Sequence, residues 1–194
     1  MRYPPEHRDN TRARIVSAAS RLFRRRGFAG VSVEKVMRAA GLTVGGFYLH
    51  FGSKQRLVTE SLRSMLSARR KRWLAGLESQ SGEAFRRAFV RRYVEQDASR
   101  MNEDACPMPA LLSELTRARV APRKALESEL SPLLDEVARR LGGGARRDEA
   151  LRTVALCIGT VALSRALKGT ELEGDFTRAA LGRANERRNR RDDG

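Results

Sequence analysis

The chain has 194 residues, 41% of them apolar, so it can bury a sizeable core without disulfide or metal staples. Its formal charge of +16 selects polyanionic partners rather than a fold, and 12 Arg and Lys against 4 Asp and Glu put half of that excess into residues 1–60. Two cysteines cannot build a disulfide framework, the polar first ten residues lack a secretion signal's apolar run, and the longest apolar stretch, Val154 to Leu163, falls short of the roughly 20 residues of a membrane span. A cytoplasmic protein with no membrane partner is expected.

Leu, Ala, Arg and Glu dominate, which favours helix. Residues 1–8 are expected to form a disordered basic arm. From Asp9 or Asn10 the pattern turns helical: Ile15, Ala18, Ala19, Leu22 and Phe23 make one apolar stripe, and Gly27 can close the helix in a left-handed conformation. Ser32 offers the next N-cap, before Val33, Val36, Met37 and Ala40, and Gly41 ends that stripe. Thr43 is the following cap, and Val44, Phe47, Tyr48 and Phe51 form a short third stripe ended by Gly52. Ser53 caps a fourth helix to about Leu77. Two short helices joined by a tight glycine turn are the helix-turn-helix arrangement, although an ordinary bundle can contain the same pair. The local excess of positive charge favours DNA binding.

Further on, a helix is predicted from Glu83 to about Met101, another from Asp104–Pro107, and another from Pro122 to Leu141 with a kink or break at Pro132. Gly142-Gly143-Gly144 reads as a hinge-like linker. The segment Asp148–Leu167 is apolar around most of its circumference, so two of its sides should be buried. Asp175 starts a last helix to about Ala184, and residues 185–194 form a charged tail expected to be disordered.

The stretch Val31 to Leu57, VSVEKVMRAAGLTVGGFYLHFGSKQRL, resembles the DNA-binding head of TetR-family (tetracycline-repressor-like) regulators. The shared elements are Ser32-Val33, Ala39-Ala40-Gly41, Thr43, Phe47-Tyr48 and His50-Phe51-Gly52-Ser53-Lys54. With its flanking first helix this covers about a quarter of the chain and is highly specific. Ala105-Cys106-Pro107 through Glu114, and Leu163-Ser164-Arg165-Ala166-Leu167, resemble the family's helical ligand domain more loosely. The resemblance implies an all-α fold: a three-helix DNA-binding domain over 9–54, then a helical effector-binding and dimerisation domain over 55–184.

In such a head the third helix enters the major groove. Ser32, Thr43 and Ser53 stand at helix N-termini, which bind phosphate well, and Lys54 adds a charge. Tyr48 and His50 match family positions that contact the DNA backbone, and Arg12 and Arg14 are candidates for flanking phosphates. Phe47 and Phe51 read as core. Many relatives carry a polar residue in place of Val44 and a Thr, Ser or Ala in place of Gly46. Val44 can meet a thymine methyl but makes no bidentate hydrogen bond. Gly45 and Gly46 each weaken a helix by roughly 1 kcal/mol relative to Ala. The head therefore relies on phosphate contacts and DNA shape, or its glycines let the backbone approach the bases closely.

The family resemblance also implies a homodimer through residues 148–184, a near-palindromic operator in double-stranded DNA, and a small-molecule effector that releases a repressor, although activation is an alternative. Candidate pocket residues are Trp73, Phe89, Tyr93, Met101, Cys106, Met108, Leu111 and Cys157; each is also what simple core packing would use. As a set they favour an apolar or aromatic effector. Cys106 reads as an inert thiol or as a sensor of electrophiles and oxidants, with Glu103 and Asp104 opposing a thiolate. Only His7 and His50 are present, and no metal spacing, phosphate loop or nucleophile elbow appears. No enzyme activity, cofactor or metal is expected. A non-specific chromatin or RNA-binding protein is the rival reading.

Overall fold

The computed structural model describes residues 5–98 and 106–182, with side chains from residue 8 onward. Every regular element among them is a helix, as expected. They are α1 (Pro5–Arg26), α2 (Val33–Ala39), α3 (Phe47–His50), α4 (Lys54–Leu74), α5 (Gly82–Asp97), α6 (Met108–Thr116), α7 (Val120–Leu141), α8 (Arg147–Ala166) and α9 (Asp175–Ala180). The chain divides into two compact units. The first takes residues 1–72 with 101–133, and the second takes 73–100 with 134–194. This grouping by compactness does not follow the expected functional boundary at residue 54, because α4 and α6 share a unit with the N-terminal helices.

In the first unit, Ile15, Ala19 and Phe23 of α1, Val36 and Met37 of α2, and Leu57 and Leu62 of α4 are buried together with Phe47 and Phe51. α1 starts at Pro5, so residues 5–8 are helical rather than part of an arm; residues 1–4 lie outside the described residues. Proline suits a first turn, whose N–H groups have no intrahelical acceptor. Gly27 (φ 69°) closes α1 and Gly41 (φ 66°) follows α2, both in the left-handed region open to glycine. Ser32 caps α2 by accepting the N–H of Lys35 (3.3 Å), and Ser53 does the same for Arg56 (3.2 Å).

The third stripe resolves differently from its sequence pattern. Val44–Gly46 form one 3₁₀ turn, and the α-helix begins only at Phe47. Two adjacent glycines disfavour regular helix, so the tighter turn takes over. Phe47 and Phe51, four apart, stack at 5.7 Å in the core, while Val44 and Tyr48 face outward. Arg12 of α1 ties this short helix down. Its guanidinium lies over the Phe51 ring at 4.2 Å, donates to the His50 carbonyl, and pairs with Glu60 of α4.

The second unit packs α8 against α5 and α9. Phe85, Phe89 and Tyr93 of α5 and Val154, Cys157 and Val161 of α8 are buried. Trp73 packs at a tilt against Tyr93, ring centroids 4.5 Å apart, and donates its indole N–H to Asp97 (3.4 Å). Arg165 donates to the Asp97 carbonyl at 2.8 Å, which satisfies a buried backbone acceptor at the end of α5. Burial acts to raise the Glu136 carboxyl, but hydrogen bonds from Arg139 and Arg140 outweigh it and hold the group below the usual carboxylate range.

Several boundaries differ from the sequence pattern. α7 runs unbroken through Pro132. The proline removes one backbone donor, but burial of Ala125, Leu133, Leu134 and Val137 holds the helix on either side of it. α4 stops at Leu74 and α5 at Asp97. α6 begins at Met108 with Pro107 as its cap, and α9 begins at Asp175 with Gly174 as its cap and ends at Ala180. The linker at 142–144 holds Gly142 (φ 128°) and Gly143 (φ 112°), after which a 3₁₀ turn over Gly144–Arg146 leads into α8.

Phe47→Ala should destabilise the protein by about 3–5 kcal/mol in a thermal or denaturant melt, whereas Tyr48→Ala should leave stability unchanged within about 0.5 kcal/mol. Arg12→Ala should cost about 1–2 kcal/mol, because its ion pair is partly exposed and the ring contact adds modestly.

Candidate nucleic-acid interface

The outward side of the 43–51 segment is the feature from which a site is built. Tyr48 is 69% exposed, Leu49 73% and Val44 41%, while Phe47 in the same helix is fully buried. One side anchors it and the other is open to solvent. A Cβ added to Gly45 would meet nothing within 4 Å, and one on Gly46 would meet only Met37 Cε at 3.9 Å. The fold therefore does not require glycine at either position.

The other expected DNA contacts separate into two groups. Thr43 is exposed and stands at the N-terminus of the 3₁₀ turn, but its side chain makes no capping bond there, so its hydroxyl is left for another partner. Ser32 and Lys54 lie at the starts of α2 and α4, and His50 is half-buried at the end of α3. Arg12, half-buried, and Arg14, exposed, are each engaged by neighbouring groups of the protein. Arg12 holds Phe51, His50 and Glu60 as described, and Arg14 donates to the Ala40 carbonyl at 2.9 Å, which closes the end of α2. Both join α1 to its neighbours from positions still open to solvent, so each has a structural role beside the one expected of it at flanking phosphates. Carbonyls at a helix C-terminus lack intrahelical donors, and a guanidinium is well suited to supply them.

Sequence reasoning passed over several residues. Leu49 falls outside the third apolar stripe and is the most exposed large apolar side chain of the segment. Arg8 reaches its carbonyl at 3.2 Å. Lys35 and Arg38 on α2 and Arg56 in the first turn of α4 carry side-chain charges with no ion pair among the described residues. The clustering of cations between residues 35 and 56 was the available signal for them. Glu34 is the acid among these cations. The Ser32 hydroxyl, its own backbone N–H and Lys54 hold its carboxyl below the usual range, so it stays ionised there.

The expected effector-pocket residues lie in the cores of two different units. Trp73, Phe89, Tyr93 and Cys157 belong to the second, and Cys106, Met108 and Leu111 to the first; all seven are buried. Met101 lies outside the described residues. The first unit presents two grooves. One, of about 830 Å³, is lined by α1 and α4 residues such as Ser20, Arg24 and Arg63; the other, of about 460 Å³, is lined by Phe28, Val58, Glu114 and Pro122 among others. Neither includes any of the expected residues. The Cys106 thiol is enclosed, 1% exposed, which favours an inert over a reactive group. No cluster of His, Cys, Asp or Glu among the described residues could hold a metal ion, and no helix there is long and apolar enough to cross a membrane.

Residues 15–60 match the family model described as bacterial regulatory proteins, tetR family. The HTH-type transcriptional regulator TtgR of Pseudomonas putida is 38% identical over 65 residues, which are 34% of this chain and 31% of that protein. The chain thus spans about a third of the length of that curated relative. The HTH-type transcriptional regulator LmrA of Bacillus subtilis is 26% identical over 168 residues, covering 83% of this chain and 89% of its own. The crystal structure of a TetR transcriptional regulator from Chloroflexus aurantiacus superposes with a TM-score of 0.73 at 27% identity, covering 90% of this chain and 94% of that one. The segment that holds the short outward-facing helix and its buried aromatic pair is thus of the tetR-family type, and over most of its length the chain is similar to TetR-type regulators that share its helical fold.

Proposed function

We propose that the protein is a sequence-specific, DNA-binding transcriptional regulator that acts as a dimeric repressor on a near-palindromic operator and is released by a small molecule. The observation that carries this reading is the two-sided 43–51 segment: Phe47 and Phe51 buried, Val44, Tyr48 and Leu49 offered outward. In the major groove Val44 and Leu49 would meet thymine methyls, and Tyr48 and Thr43 would hold phosphates. Ser32 and Ser53 stand at the starts of α2 and α4, where backbone N–H groups favour anions; Lys54, Lys35, Arg38 and Arg56 supply charge. The names of TtgR and LmrA as transcriptional regulators support the same activity here.

A single head makes too few contacts for high specificity, so two must act together. α8 offers the surface for this. Leu151 (47%), Leu156 (41%) and Leu163 (43%) are exposed, with Ala155, Gly159 and Ala162 between them and Phe176 of α9 nearby in sequence order. A row of leucines and small residues left open on a helix whose other side is buried suits a copy of itself. The effector would be apolar or aromatic and would be enclosed by residues drawn from the buried set around Trp73, Phe89, Tyr93, Met101, Cys106, Met108, Leu111 and Cys157. It would act by favouring a head arrangement that no longer fits the operator. The protein would work in the cytoplasm and would have no catalytic role.

Selection of bound duplexes from a random DNA pool tests the central reading. An inverted repeat with half-sites roughly 34–36 Å apart or a multiple of that is expected. Recovery of basic-charge-driven binding without a shared sequence would instead support the non-specific alternative. Gly45→Ala should keep or raise the melting temperature, by up to about 1 kcal/mol in stability, while weakening binding to the selected operator. Undiminished binding would mean that the glycine does not serve close backbone approach. Leu163→Glu should turn a dimer into a monomer in sedimentation, with loss of operator binding and retention of helix content; a persistent dimer would place the interface elsewhere.

A further inference from the structure

α1 ends in a way that leaves backbone donors to be filled from a distance. Gly27 closes the helix with its N–H on the Phe23 carbonyl at 2.8 Å. The next two N–H groups, of Phe28 and Ala29, point instead to α6. Glu114 accepts them one on each carboxylate oxygen: Phe28 at Oε1 (3.1 Å) and Ala29 at Oε2 (2.8 Å). The carboxylate is seated against the glycine itself, since a Cβ on Gly27 would lie 1.7 Å from Oε1. Glycine is needed there twice over, for its positive φ and for the space.

What Glu114 grips is the hand-over from α1 to α2. Phe28 turns back into the core, 8% exposed, and meets Phe23 edge-on at 5.2 Å; Val31 is fully buried, and Ser32 then caps α2. α2 in turn contacts the 3₁₀ turn that starts the recognition segment. A charged acceptor taking two amides is among the stronger hydrogen-bonding arrangements a protein offers. It joins residues 86 and 85 positions apart in the chain.

We propose that Glu114 is a positioning residue for DNA recognition: from α6 it clamps the α1–α2 turn and so sets the angle at which α2 and the recognition segment meet the operator. This rests on the DNA-binding reading above. It gives a side chain outside the head a direct hold on it, without touching DNA.

The test uses the full-length protein with Glu114→Ala, Glu114→Gln, Gly27→Ala and the Gly27→Ala/Glu114→Ala pair. Amide exchange at Phe28 and Ala29 is measured beside affinity for the selected operator and for a scrambled duplex. Glu114→Ala should raise exchange at those two amides and weaken operator binding, each roughly tenfold or more, with scrambled-duplex binding held within about twofold. Glu114→Gln, which keeps the shape and one acceptor oxygen, should fall between. Gly27→Ala should resemble Glu114→Ala, and its effect should shrink when Glu114 is already removed. Unchanged exchange in the Glu114 variants would overturn the clamp. Raised exchange with undiminished operator affinity would reduce it to a fold contact and overturn the positioning role. If the wild-type protein itself does not discriminate operator from scrambled DNA, the positioning role falls with the DNA-binding reading, while the exchange data still decide whether the clamp exists.

Discussion

A four-residue helix preceded by two glycines has no stability of its own. Nucleation fixes several backbone angles for very few hydrogen bonds, and glycine adds to that cost. α3 stands because Phe47 and Phe51 are sunk among α1, α2 and α4, and because Arg12 covers the Phe51 ring and holds the His50 carbonyl. Burying two aromatic side chains contributes several kcal/mol, roughly 2–3 each, which exceeds the cost of the glycines. The outward residues Val44, Tyr48 and Leu49 inherit their position from that burial.

This arrangement changes how the basic charge is read. Cations in the N-terminal third differ in how far the fold already engages them. Two of its arginines, Arg12 and Arg14, also join α1 to α3, α4 and the end of α2. Long cationic side chains satisfy carbonyls at helix ends as readily as they meet phosphates. The charges without ion pairs among the described residues, on Lys35, Arg38 and Arg56, lie on the helices that flank the 43–51 segment and are open to a polyanion.

The second unit follows the same logic of one anchored and one open side. α8 buries Val154, Cys157 and Val161 on one side and leaves Leu151, Leu156 and Leu163 on the other. Ser164 reaches Thr177 at 3.0 Å and Arg165 reaches the end of α5, so the buried side is fastened by polar contacts at its C-terminal end. Apolar leucines in a row on an exposed helix face are costly in water, and a partner surface removes that cost.

Much of this was legible in the residues. The spacing of Ile15, Ala19 and Phe23 and of Val36, Met37 and Ala40, the caps Ser32 and Ser53, and the stops Gly27 and Gly41 marked out the head, because helix periodicity and capping are local properties. Phe47 and Phe51 were recognisable as core from their bulk and spacing. The all-helical class and the resemblance to the family followed from the same stretch. What only the tertiary structure decided is where side chains with more than one possible partner go. Arg12 and Arg14 met carbonyls and a ring, Val44 and Tyr48 left the stripe they share with the two phenylalanines, α7 continued through Pro132, and Glu114 met amides some 85 residues earlier in the chain. Local pattern records what a residue prefers over one helical turn. The destination of a long charged side chain depends on which unsatisfied group folding brings within its reach, and no spacing within the sequence encodes that distance.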